Sequence, residues 1–99
     1  MIDFVFTTDN VNETVTITGY KGKDGSVVVP DTIGNWPVTA IGDNAFDGCR
    51  RLTSIVLPDS ITSIGDYAFY GCTGLTRIVL PKGPTTYGDF VFHGCPAYA

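Results

Sequence analysis

Apolar and polar positions alternate over a short stretch of this chain and then return in phase. Leu52, Ile55 and Leu57 are apolar, Val56 stands between the last two, and Pro58 ends the run. Proline lacks an N–H and suits a strand end rather than its middle, so residues 53–57 read as a strand. Ile61 and Ile64 then line a second wall, and Gly65 permits a corner. Asp66 and Gly71 read as the cap and the stop of a single helical turn over Tyr67–Tyr70. The same pieces occur 23 residues away on either side. Leu75, Ile78, Val79, Leu80 and Pro81 repeat Leu52, Ile55, Val56, Leu57 and Pro58. Ile41, Gly42, Asp43, Ala45, Phe46, Gly48 and Cys49 anticipate Ile64, Gly65, Asp66, Ala68, Phe69, Gly71 and Cys72. Aligning 38–60 with 61–83 gives 14 identities in 23 positions. A fixed period of this size marks a solenoid, in which successive coils pair their strands as a parallel sheet about 4.8 Å apart.

The period divides the chain. Residues 2–7 and 14–18 are β-prone runs with the turn formers Asp9, Asn10 and Asn12 between them, so 1–19 reads as an N-terminal β-hairpin cap. Residues 20–49 form an irregular first repeat, because Pro30 and Pro58 are 28 residues apart. The extra five residues fall in 31–37, a surface excursion that carries the only tryptophan, Trp36. Residues 50–72 are the regular repeat, 73–95 a degenerate last one, and 96–99 a tail. In that last coil Pro84, Tyr87 and Val91 replace Ile61, Ile64 and Ala68. One coil alone buries too few side chains to offset the ordering of its backbone, so stability requires stacking, with Phe46, Phe69 and Phe92 as a core ladder. Uncovered ends of such stacks tend to pair, which leaves a monomer or a weak end-to-end homodimer as the expected state.

Composition narrows the class. Ninety-nine residues with 43% hydrophobic content make one globular domain. A net charge of −4 with scattered basic residues excludes a nucleic-acid backbone as partner. No apolar run is long enough to insert in a membrane as a helix. Cys49, Cys72 and Cys95 each follow Phe-x-Gly one period apart, which reads as three small thiols in one ladder rather than a disulfide or zinc framework. The opening residues lack a signal peptide's basic and apolar regions, which leaves a cytosolic chain or one whose signal is absent from this sequence. Asn12-Glu13-Thr14 matches a glycosylation sequon, a triplet common by chance.

The strings LTSIVLPDSITSIGDYAFYGC (52–72) and VTAIGDNAFDGC (38–49) resemble the BspA-like, or treponemal-type, leucine-rich-repeat family. The resemblance runs from about Thr16 to Cys95, and residues 31–38 resemble that family's irregular first repeat. Mainstream leucine-rich repeats place Asn or Cys where Ser60 and Gly83 stand here. The resemblance implies a β-rich leucine-rich-repeat solenoid of the α/β horseshoe-like class, with 23-residue coils, a parallel sheet and one-turn helices. It also implies a non-enzymatic adhesion role on the surface of anaerobic, host-associated bacteria, with host extracellular-matrix or cell-surface proteins as partners. On that ground an extracellular location is expected, with the signal peptide removed.

Function still has to be argued from exposed positions. His93, the only histidine, has no nucleophile with a credible role beside it, and no Gly-rich phosphate loop precedes a helix. No enzyme and no cofactor is expected. Asp43, Asp66 and Asp89 form a carboxylate row that helix capping explains without a calcium ion. The outward positions of the strands align Val28, Val56 and Val79 beside Ser26, Ser54 and Arg77, an apolar stripe suited to a partner protein. β-branched residues also favour strands for their own sake. A second candidate is the edge holding Tyr67, Tyr70, Phe90 and His93, and a third is Trp36. The leading expectation is a protein-binding or adhesion module, and the alternative is a passive spacer or a fragment of a longer array.

Overall fold

A computed structural model describes residues 3–23 and 25–98. β1 (Phe4–Asp9) and β2 (Thr14–Tyr20) pair antiparallel, with a bulge between Val5 and Phe6. Asp9 holds the connecting turn, accepting the N–H groups of Val11 and Asn12 at 3.0 and 3.2 Å. The backbone N–H of Asn12, followed by its side-chain amide and the Val11 N–H, keeps the Asp9 carboxyl below its ordinary range.

The coils follow. Three strands of alternating burial, β3 (Ser26–Val28), β6 (Ser54–Val56) and β8 (Arg77–Val79), stack in parallel register as the first wall. The second wall stacks β2, β5 (Trp36–Ile41), β7 (Ser63–Ile64) and β9 (Thr86–Tyr87), again in parallel. The hairpin is thus the first layer of this wall, with β1 as its outer strand. Val15, Ile17, Val38, Ile41, Ile55, Leu57, Ile61, Ile64, Ala68 and Phe69 meet between the walls and are buried. The molecule is a β-solenoid of about three turns.

The inserted 31–37 segment is a two-stranded hairpin at the surface. β4 (Thr32–Ile33) pairs antiparallel with the start of β5 through Gly34 and Asn35, both at positive φ (59° and 72°). Two left-handed central residues give the tight turn that suits β-hairpins. Trp36 is half-buried against the core.

The helical turn expected over Tyr67–Tyr70 does not form, and no α-helix occurs among the described residues; the one short helix is a 3₁₀ turn at Pro96–Tyr98. The reason lies in where the amides point. Asn44, Phe46 and Gly48 donate sideways to Asp66, Ala68 and Tyr70 carbonyls of the next coil, at 2.9, 2.7 and 2.7 Å. Tyr67, Phe69 and Gly71 do the same to Asp89, Val91 and His93. Only the alternate amides of Ala45, Asp47 and Cys49 close turns, onto carbonyls three residues back. A helical turn would aim its amides along its own axis and leave the coils without this ladder. The chain is therefore a run of turns, with Asn44, Tyr67 and Phe90 left-handed at φ 60°, 58° and 56°.

The aspartates are corrected with it. Asp43 and Asp66 do not cap helices; their Oδ1 atoms accept the N–H of Asp66 and Asp89, each at 2.8 Å, one coil on. Asp59 accepts the Lys82 N–H in the same way at 2.9 Å. Gly65 also has a different reason from the one expected. A Cβ there would lie 2.6 Å from the Asp43 nitrogen, so close approach of coils demands glycine. Gly71, by contrast, does adopt the left-handed conformation, at φ 72°.

Candidate functional site

Alternation along the first wall decides what faces outward. Val27, Ile55 and Leu57 point into the core, so their neighbours point away. Val28, Val56 and Val79 are direct register partners and are 69%, 37% and 38% exposed. Beside them Ser26, Ser54 and Arg77 form the parallel row, with the Ser26 and Ser54 hydroxyls 3.0 Å apart. At the proline ends of the strands a groove of about 480 Å³ runs between Val28, Val56, Pro30 and Pro58, with Asp31 and Asp59 on its border. The face is apolar along its spine and acidic along that border.

The second candidate is a block of four rings. Tyr67 stacks on Phe90 (centroids 5.6 Å, planes 19° apart) and Tyr70 on His93 (5.3 Å, 15°). Edge contacts of 5.3 Å between Tyr67 and Tyr70 and 5.9 Å between Phe90 and His93 close the block. Phe90, at its end, is 58% exposed. Trp36 joins neither surface; it packs on the core from the inserted hairpin.

The cysteines are all free. The buried Cys72 and Cys95 thiols donate to the Phe46 and Phe69 carbonyls at 3.0 and 2.9 Å. Burial, more than any neighbour, pushes the Cys72 thiol up to about 12, and raises Cys49 and Cys95 as well. These are poor nucleophiles in the folded chain. Among the described residues no three His, Cys, Asp or Glu side chains converge as metal ligands.

The repeat and the fold are matched by known proteins. The family model for the BspA type leucine rich repeat region (6 copies) matches residues 37–98, more than half of the chain. The chain belongs to the BspA-type leucine-rich-repeat family. Solved structures similar to this BspA-type chain include a T. pallidum leucine rich repeat protein, 38% identical with a TM-score of 0.89. The alignment covers 93% of this chain and 43% of that one. A leucine rich cell surface protein from Faecalibacterium prausnitzii is 35% identical with a TM-score of 0.77, over 93% of this chain and 26% of that one. A leucine-rich repeat protein from Bacteroides capillosus is 26% identical with a TM-score of 0.85, over 93% and 71%. The BspA-type chain thus spans less than half the length of the first two. No curated protein matches it.

Two features of the fold escaped the sequence. The carboxylates of Asp31 and Asp59 lie in different repeats, and only the stacking brings them to one groove. Val15 and Ile17 belong to the second wall as partners of Val38 and Ile41. Their spacing of two, against three for Val38 and Ile41, hides them from a search at fixed period.

Proposed function

We propose that this BspA-type chain is a non-enzymatic protein-binding module of a bacterial surface protein, docking its partner on the face spined by Val28, Val56 and Val79. The observation that carries this reading is the registered row of three exposed valines bordered by Asp31 and Asp59. Contiguous apolar surface with a polar rim is the usual composition of an interface. A partner with an apolar ridge flanked by basic side chains complements it, and the net charge of −4 favours the same sign. Host extracellular-matrix and cell-surface proteins are the partner class we infer. Family membership supports the surface location, as does the description of the F. prausnitzii structure as a cell surface protein. The non-enzymatic reading is supported by the chemistry of the reactive side chains: His93 is engaged in ring stacking, and the buried thiols donate to carbonyls.

The test is solid-phase binding to a panel of matrix proteins, with a Val28→Ser/Val56→Ser/Val79→Ser variant whose fold is checked by circular dichroism. Saturable binding that the variant loses is the expected result. Binding unchanged in the variant moves the site off this face, and no binding to any partner leaves the chain a spacer.

A further inference from the structure

Among the described residues the stack is one strand short on its first wall. Among the described residues β2, β5, β7 and β9 fill four layers of the second wall, but only β3, β6 and β8 stand on the first. The layer that holds β2 has no strand beside β3. At that place the surface opens into a cleft of about 490 Å³. Phe4, Tyr20 and Ile33 give it ring and aliphatic surface, Ser26 to Val28 give it a strand edge, and Asp3 gives it a carboxyl group.

Among the described residues no strand takes up the outer edge of β3. Val29 donates to the Val56 carbonyl at 3.0 Å, and Ser54 donates to the Gly25 carbonyl at 3.0 Å. In a parallel pair one residue directs both its groups to the same neighbour, and the next directs them the opposite way. Gly25, Val27 and Val29 therefore turn toward β6. Ser26 and Val28 turn their N–H and C=O groups to the vacant side. Unpaired edge groups beside apolar walls are a template for strand addition.

We propose that this slot binds an extended segment of a partner protein, added parallel to β3 as the missing first-wall strand. The strands that fill the same position in later layers define the guest's chemistry. They read Ser-Val-Val-Val-Pro (26–30), Ser-Ile-Val-Leu-Pro (54–58) and Arg-Ile-Val-Leu-Pro (77–81), with the second and fourth residues turned to the core. A guest of this pattern sets its inward apolar side chains on Phe4 and Tyr20, whose rings pack 5.4 Å apart. Its main chain takes up the edge groups of Ser26 and Val28. Asp3 and the net charge of −4 favour a cation next to the guest strand. The cleft's volume is that of a ligand site. This proposal uses the strand edge and not the outward valine face, with which it shares Ser26, Val28 and Pro30.

The test is an amide-resolved NMR titration of the full chain with an acetylated, amidated Thr-Ser-Ile-Val-Leu-Pro peptide carrying one appended lysine. The peptide copies residues 53–58. Saturable shifts at Ser26, Val28, Ile33 and Gly34 are expected. N-methylation of the guest amides that face β3 should weaken binding about tenfold, the loss of one to two main-chain hydrogen bonds. Thr32→Arg, at an exposed cleft position, should weaken it as well. A Val56→Ser/Val79→Ser chain should bind the peptide as the parent does, so failure of the valine-face reading and failure of this one are distinguishable. Shifts confined to the valine face or the Tyr67–His93 edge would overturn the proposal. So would indifference to N-methylation, or no saturation at millimolar peptide. A dimer of the chain that the peptide dissociates would assign the slot to a second copy instead of a partner.

Discussion

Two columns of aromatic rings run along this solenoid with the same step and almost the same geometry. In the inner column Phe46, Phe69 and Phe92 stack at 5.1 and 5.7 Å, with planes 13° and 8° apart. In the outer block Tyr67 on Phe90 and Tyr70 on His93 stack at 5.6 and 5.3 Å, with planes 19° and 15° apart. The inner rings of Phe46 and Phe69 are fully buried, whereas Tyr67 and Tyr70 are exposed. Stacking is therefore imposed by the 23-residue register and is not in itself a sign of binding. Burial is what separates a ring that holds the fold from one left at the surface.

Substitutions should break the comparison in order of burial. Phe69→Ala removes the middle ring of the inner column and is expected to cost ~3–5 kcal/mol in chemical denaturation. Phe92→Ala, at the half-exposed end of that column, should cost less than ~2 kcal/mol in the same measurement. The aspartate ladder offers a second pair of like residues in unlike places. Asp43→Ala strands the Asp66 amide and should cost ~1 kcal/mol. Asp89→Ala, whose carboxylate serves no later coil among the described residues, should stay within ~0.5 kcal/mol. Tyr67→Asn sets two opposing effects against each other. It relieves a left-handed tyrosine (about 1–2 kcal/mol for a residue with a side chain) and forfeits a stacking contact of about 0.5–1.5 kcal/mol. The net should lie between a loss of ~0.5 and a gain of ~1.5 kcal/mol, and Asn44 already shows asparagine at the equivalent site.

The thiol ladder sharpens the same contrast through pH. Cys72 titrates at about 12 when folded, against an ordinary 9.0. Above pH 9 the unfolded chain loses this proton before the folded one does. Stability should therefore fall as pH rises from about 9 to 12, and should not vary with this thiol's ionisation below that window. Under native conditions iodoacetamide should label the half-buried Cys49 before Cys72 or Cys95, as peptide mass mapping would show.

Most of this architecture was legible because a repeat states each constraint more than once. Leu52, Ile55, Leu57 and their copies give the wall, and the prolines give its ends. The helical turn was misread because Asp-x-Ala-Phe-x-Gly satisfies a cap-and-stop pattern equally well. Only the stacked neighbour reveals that Phe69 and Gly71 donate sideways, and no local pattern carries that information. The same holds for Asp43, whose partner is 23 residues away. The valine row could be read from period and alternation, because register in a parallel sheet follows from both. The vacant slot beside β3 could not, since Val15 and Ile17 fill their layer at a different spacing from Val38 and Ile41.

The most direct test of the account sets one exposed surface against the other in a single binding assay. Val28→Ser/Val56→Ser/Val79→Ser and Tyr67→Asn/Tyr70→Asn chains, both verified as folded, are compared with the parent on immobilised matrix proteins. The account predicts that the valine variant loses binding and that the aromatic variant retains it. Retention by the valine variant with loss by the aromatic one would contradict the account and turn the outer ring block from decoration into the site.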